Sequence, residues 1–241
     1  MAGWIPFGDA QLTADVKIAP HVVIFSHGFG VQRDSRGMFT DVIAALPKDV
    51  GYVLFDYNDI DAAHNMVHAN GFADQVIRLR AVISWVRMQP GVTQISLIGH
   101  SLGALIIADL APSDVHKIIL LAPPTTPMGG FRRQRYTHKP GAELYRGVWH
   151  IPRRDGTTTL ISEAVFDELE RVDAEGELVK LAMLQPYLLV IAEADEVLPD
   201  DDYTELIVMD AITSVGIEGA SHNFDPPARE ELIQTILERL K

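Results

Sequence analysis

Ile95-Ser96-Leu97-Ile98-Gly99-His100-Ser101-Leu102-Gly103-Ala104-Leu105 begins as a short apolar run and changes character at a glycine. Ile95–Gly99 has the length and near-continuous hydrophobicity of a strand buried on both faces of a parallel sheet. Ser101–Ala111 reads as the helix that follows. The serine falls between them, flanked at two residues' distance by Gly99 and Gly103. Composition gives about 0.05 matches to this five-residue pattern per chain of this length. The spacing has a steric cause: a serine on a sharp strand-to-helix turn needs glycine on both sides to leave room for neighbouring backbone. The helix start also aims its N–H groups and positive dipole end at the hydroxyl.

The same alternation extends outward from this segment. Val22–Ser26, Tyr52–Asp56, Lys117–Ala122, Tyr187–Ala192 and Ser214–Ile217 are further buried-strand runs. Gly37–Leu46, Phe72–Met88 and Pro227–Leu240 are helix candidates between or after them. In Phe72–Met88 the residues Phe72, Val76, Leu79, Val82, Ile83 and Val86 paint one apolar stripe, which Gln89-Pro90-Gly91 ends. Alternating strands and helices predict an α/β protein with a mostly parallel central sheet flanked by helices. Residues 4–18 are expected to add an antiparallel edge hairpin.

Between Pro123 and Pro186 the alternation stops. A structureless loop of that length is rare in a compact domain, so residues 123–186 are read as an inserted cap, with 1–122 and 187–241 forming the core. Val148–Ile151 and Thr157–Ile161 flank Arg154-Asp155-Gly156 as a hairpin, and Ser162 reads as the N-cap of a helix reaching about Val172. The first half of this segment is basic (Arg132, Arg133, Arg135, Lys139, Arg146, Arg153, Arg154 against Glu143). The default reading of such a segment is a solvated face, and attraction of anionic substrates is the sharper one.

Composition narrows the function. The 241 residues include 20 Lys+Arg and 33 Asp+Glu, for a net charge of −13, and no Cys. That balance argues against nucleic acid and anionic membranes as partners, and it excludes thiolate nucleophiles, disulfides and Cys-based metal sites. The first residues lack a basic segment and an apolar h-region, and no apolar run reaches the roughly 20 residues of a membrane span. The expectation is a cytoplasmic protein, monomeric or homodimeric.

A serine hydroxyl needs a base and an orienting carboxylate. His222, in Gly219-Ala220-Ser221-His222, follows the last strand, and Asp195 follows the strand Tyr187–Ala192. Both fall at C-terminal strand ends, where open α/β sheets place their ligands. Glu193, Glu196 and Asp200–Asp202 crowd the acid loop as alternatives to Asp195. His27-Gly28-Phe29-Gly30 follows the strand Val22–Ser26, so the N–H groups of Phe29 and Leu102 can form an oxyanion hole. His64 and His68 read as a solvated loop or helix face, since no Glu accompanies them as a zinc motif requires. His100 reads as structural.

Taken together, the His27-Gly28 turn, the Gly99–Gly103 elbow, the Asp195 loop and the Gly-Ala-Ser-His segment resemble those of serine hydrolases of the α/β-hydrolase superfamily. The insert is similar, in size and layout, to that of small carboxylesterases of the feruloyl-esterase-like kind. The resemblance implies an α/β-hydrolase fold, a triad of Ser101, Asp195 and His222, oxyanion donors at Phe29 and Leu102, and no metal or cofactor. The expected substrate is a small ester with a largely apolar acyl group, because Phe29, Leu102, Val197, Leu198 and Phe224 flank the site in sequence. Val197, Leu198, Phe224, Tyr145 and Trp149 are candidate pocket walls. Lactone opening, amide or peptide cleavage, acyl transfer and a non-catalytic binding module are the alternatives.

Overall fold

A computed structural model describes residues 2–153 and 156–241. In chain order its elements are β1 (Ala2–Phe7), β2 (Ala10–Lys17), β3 (His21–Ser26), α1 (Met38–Ala45), β4 (Val50–Phe55), β5 (Asp59–Asp61), β6 (Met66–His68) and α2 (Phe72–Arg87). Next come β7 (Gln94–His100), α3 (Leu102–Leu110), β8 (Lys117–Leu121), α4 (Gly129–Thr137), β9 (Glu143–Tyr145), β10 (Val148–Pro152) and β11 (Thr158–Ser162). The chain closes with α5 (Glu163–Arg171), α6 (Ala174–Leu184), β12 (Tyr187–Ala192), α7 (Thr204–Ile207), β13 (Ile212–Ile217) and α8 (Ala228–Leu240).

Eight strands form the central sheet in the order β1-β2-β4-β3-β7-β8-β12-β13. The strands from β4 to β13 run parallel, and β1 and β2 add the antiparallel hairpin at one edge. The apolar runs are unbroken because both faces are covered. Val22 and Ile24 of β3 pack with α2 and α3, whereas Val23 and Phe25 pack with α1 and α8. Leu120 and Leu121 of β8 divide between the faces in the same way. Two apolar cores therefore clamp the sheet and hold its C-terminal strand ends in fixed register.

A second sheet, β5-β6-β11-β10-β9, lies beside the first. The hairpin of β10 and β11 pairs Val148 with Ser162 and Pro152 with Thr158; the expected turn residues 154 and 155 lie outside the described residues. Ser162 stands at the N-cap of α5, although its hydroxyl makes no cap hydrogen bond. Two features depart from the sequence expectation. Residues 59–68, expected as a solvated loop or helix face around His64 and His68, form a hairpin with His64 in its exposed turn, and β6 pairs in parallel with β11. At the other end of the 123–186 segment, α6 packs on α3 of the core. The segment expected as one insert thus borrows two strands from upstream and gives a helix to the main layer. Three-residue strands carry too little alternation to register as a period, and the β11 partner of β6 lies about ninety residues away.

Candidate active site

Ser101 occupies the bend between β7 and α3 with φ 54° and ψ −124°, a left-handed conformation strained for any residue with a side chain. The bend is held tightly. A Cβ at Gly99 would lie 2.6 Å from Ala104 Cα, and one at Gly103 would lie 2.1 Å from the Ser26 carbonyl oxygen. Gly103 is therefore required because β3 and the start of α3 touch backbone to backbone. Ser26 Oγ reinforces that contact, donating to the Gly103 carbonyl at 2.7 Å while sharing a 2.7 Å hydrogen bond with Tyr57 Oη.

The turn after β3 lies against this bend: a Cβ at Gly28 would meet Ser101 Cβ at 3.2 Å. Among the described residues, no carbonyl or side chain accepts from the N–H of Phe29 or of Leu102. His27 braces the turn. Its Nε2 accepts from the Tyr57 N–H at 3.0 Å, which leaves Nδ1–H to donate to the Gly28 carbonyl at 2.9 Å. Arg33 then pins the following loop to Asp15 (2.7 Å) and Asp56 (2.6 Å).

His222 and Asp195 come from the loops after β13 and β12, and His222 Nδ1 donates to Asp195 Oδ2 at 2.7 Å. The other Asp195 oxygen accepts from the N–H groups of Val197 and Leu198, both at 2.8 Å. Burial pushes the Asp195 carboxyl up, but the His222 bond and these two N–H groups outweigh it and hold the group below the usual carboxylate range. The competing acids do other work. Glu196 accepts from the His222 backbone N–H at 3.0 Å, Asp201 takes four donors from Thr125 and Thr126, and Asp202 accepts from Thr204.

His100 is buried, and its Nε2 donates to the His222 carbonyl at 2.8 Å while Nδ1 faces Ser35 Oγ at 3.2 Å. It ties the serine bend to the histidine loop. Burial and the neighbouring His222 push its pKa down to about 3, so it stays neutral in the folded chain wherever an unfolded histidine would be protonated. The sign follows directly: stability is complete above pH 6.5 and falls as pH drops from 6.5 toward 3. Between pH 7 and pH 5 this one group costs about 2 kcal/mol. Urea unfolding at the two pH values should show that loss, and His100→Gln, which keeps a donor for the His222 carbonyl, should remove most of it. An unchanged pH slope in the variant would refute the assignment.

Ser101 and His222 line one cavity of about 70 Å³, together with Phe29, Val197 and Tyr136. A larger hollow of about 520 Å³ lies on the second sheet near Asp59 and Leu160, and its lining holds no paired nucleophile and base. Of the expected pocket walls, Val197 lines the cavity and the other four do not. Leu198 is buried with its N–H on Asp195. Phe224 is wholly buried beneath the His222 loop, in the core shared with α8, and so anchors that loop. Tyr145 is 59% exposed on the edge strand β9. The Trp149 indole N–H donates to Glu163, packing the second sheet on α5.

Among the cavity residues that the sequence reading did not place there are Tyr136 and Arg132, both on α4. Tyr136 stands edge-on to Phe29 with ring centres 5.2 Å apart, so α4 presses on the turn that carries the Phe29 N–H. Arg132 is 4% exposed, and its Nη2 donates to Ser101 Oγ at 3.4 Å. The basic run was the only signal for it, and its default reading as a solvated face fails at this residue.

A mostly parallel eight-stranded sheet bearing a serine bend, with an Asp–His pair on neighbouring loops, is the architecture of an α/β hydrolase. The alpha/beta hydrolase family profile matches residues 23–234, and the chain belongs to that family. Among solved structures it is similar to Est1E from Butyrivibrio proteoclasticus (19% identity, TM-score 0.69, covering 99% of this chain and 98% of that one). It also resembles the esterase domain of a Rhodothermus marinus protein (18%, TM-score 0.62, covering 95% and 90%). A third is an alpha-beta serine hydrolase homologue from Coxiella burnetii (18%, TM-score 0.61, covering 100% and 97%). At these identities the likeness is one of fold. No curated protein is detectably similar in sequence. Among the described residues no helix is long and apolar enough to cross a membrane.

Proposed function

We propose that this chain is a serine hydrolase that cleaves small carboxylic esters through an acyl-enzyme. The observation that carries the reading is the 2.7 Å His222–Asp195 hydrogen bond, on a histidine that shares a cavity with a strained, buried serine. With Nδ1 committed to Asp195, His222 Nε2 is the nitrogen left to accept a proton. Ser101 Oγ attacks the ester carbonyl carbon as its proton passes to Nε2. The resulting oxyanion takes hydrogen bonds from the Phe29 and Leu102 N–H groups, each worth about 3 kcal/mol in comparable sites. Collapse breaks the bond to the alkoxy oxygen, which leaves as alcohol with the proton from Nε2. Water, deprotonated by the same nitrogen, then releases the acid and restores Ser101. Similarity in fold to Est1E and to the Rhodothermus esterase domain supports esters as the substrate class.

A fluorophosphonate probe tests the reading directly. The intact chain should label on Ser101, as located by peptide mass spectrometry, and Ser101→Ala should not label at all. Labelling elsewhere, or none in the unaltered chain, would count against it.

A further inference from the structure

Among the described residues Arg132 stands in the cavity without a carboxylate partner. A guanidinium remains charged in any protein setting, and burying one unpaired is costly. Yet among the described residues Arg132 forms no ion pair, its Nε has no hydrogen-bond partner, and its one side-chain hydrogen bond is the long one to Ser101 Oγ. Its guanidinium carbon lies 5.9 Å from the centre of the Phe29 ring. Two more arginines, Arg36 and Arg135, stand exposed on the cavity lining, and the single acid there, Glu196, is engaged by the His222 N–H. Burial lowers the Arg132 pKa, and the more distant Tyr136, Asp195 and Asp201 offset it only in part. A second ring, that of Phe131, lies 5.6 Å away, so among the described residues the charge meets aromatic faces and no hydrogen-bonded carboxylate.

From this geometry we infer that Arg132 is a specificity residue that binds a carboxylate carried by the substrate, so that the preferred ester is a hemi-ester of a short dicarboxylic acid. A planar fork of N–H donors accepts a carboxylate in bidentate fashion. The contact with Ser101 Oγ puts this fork within a few bonds of the carbonyl that Ser101 attacks. A cavity of about 70 Å³ admits only a short acyl group. The second carboxylate supplies the partner Arg132 lacks, and the two outer arginines draw it in. This replaces the apolar acyl group expected from sequence neighbours. Esterification removes one acid group and leaves the other to be read, so a reaction that makes monoesters of diacids would supply the substrate.

The inference rests on Ser101 as nucleophile, and the test separates the two. Fluorophosphonate labelling of Ser101 in the full chain is timed with succinamate, which carries one free carboxylate, or the neutral butyramide present at equal concentration and ionic strength. Succinamate should slow labelling about tenfold more effectively than butyramide, the scale of one charged hydrogen-bonded pair. Arg132→Gln should erase the difference and Arg132→Lys should keep part of it. Arg132→Gln should melt no lower than the unaltered chain, because a buried unpaired charge is removed. In turnover followed by proton release, monoethyl succinate should be preferred over ethyl butyrate in kcat/KM, and Arg132→Gln should abolish or invert that preference. Equal protection by succinamate and butyramide, or a succinamate advantage that survives Arg132→Gln, would overturn the inference. If nothing labels, the nucleophile reading has failed, and the anion site is then read by melting temperature. Succinamate should raise it in the unaltered chain and not in Arg132→Gln; no rise in either would overturn the inference.

Discussion

Ser101→Ala should lower kcat for a small ester by about 10⁶, and His222→Ala should do nearly the same, because in the proposed mechanism nucleophile and base act as one unit. The double variant should then be little worse than either single one. The cause is in the geometry. Ser101 is held in its strained bend by backbone contacts at Gly99 and Gly103 that do not involve the hydroxyl. Removing Oγ therefore leaves the fold and the Asp195–His222 pair in place. Single-turnover kinetics on the three variants, with circular dichroism to verify folding, check the result. Residual turnover within a hundredfold of the unaltered chain, or additive losses, would mean that another group carries the chemistry.

Asp195→Asn should cost about 10⁴ in kcat with little change in KM, the scale seen when the orienting carboxylate of such a triad becomes an amide. The amide offers His222 Nδ1 a donor as readily as an acceptor, which favours the wrong tautomer of the ring. Glu196→Gln should be far milder, since an amide oxygen can still accept from the His222 backbone N–H. The two variants together decide between neighbouring acids that sequence left open. A larger loss in Glu196→Gln than in Asp195→Asn would move the orienting role to Glu196.

The difference between those two acids marks where linear pattern stops being informative. Asp195 and Glu196 are adjacent in a loop crowded with carboxylates, and only the direction of each side chain separates them. Asp195 turns back to take two N–H groups of its own loop and reaches the imidazole with its free oxygen. Phe224 misled for a related reason. An aromatic two residues from His222 is a natural pocket wall, but its backbone is left-handed (φ 48°) and its ring lies in the core behind the loop. Tyr145 and Trp149 were placed by kind and not by direction, and a three-residue edge strand leaves Tyr145 facing outward.

Strands, helices and the serine bend were readable because each depends on near neighbours: side-chain period, turn chemistry and glycines two residues away. A parallel strand covered on both faces writes its burial into its own composition, and Val22–Ser26 and Ile95–Gly99 did so. Long-range closure left no such mark. The pairing of β6 with β11, the choice of Asp195 over its neighbours and the descent of Arg132 onto Ser101 all join segments tens of residues apart. Such contacts are set by how the packed layers meet in space. For that reason the strained serine bend could be read from a pentapeptide, whereas the charge beside it, on which the proposed choice of substrate rests, is set by how α4 folds over the cavity.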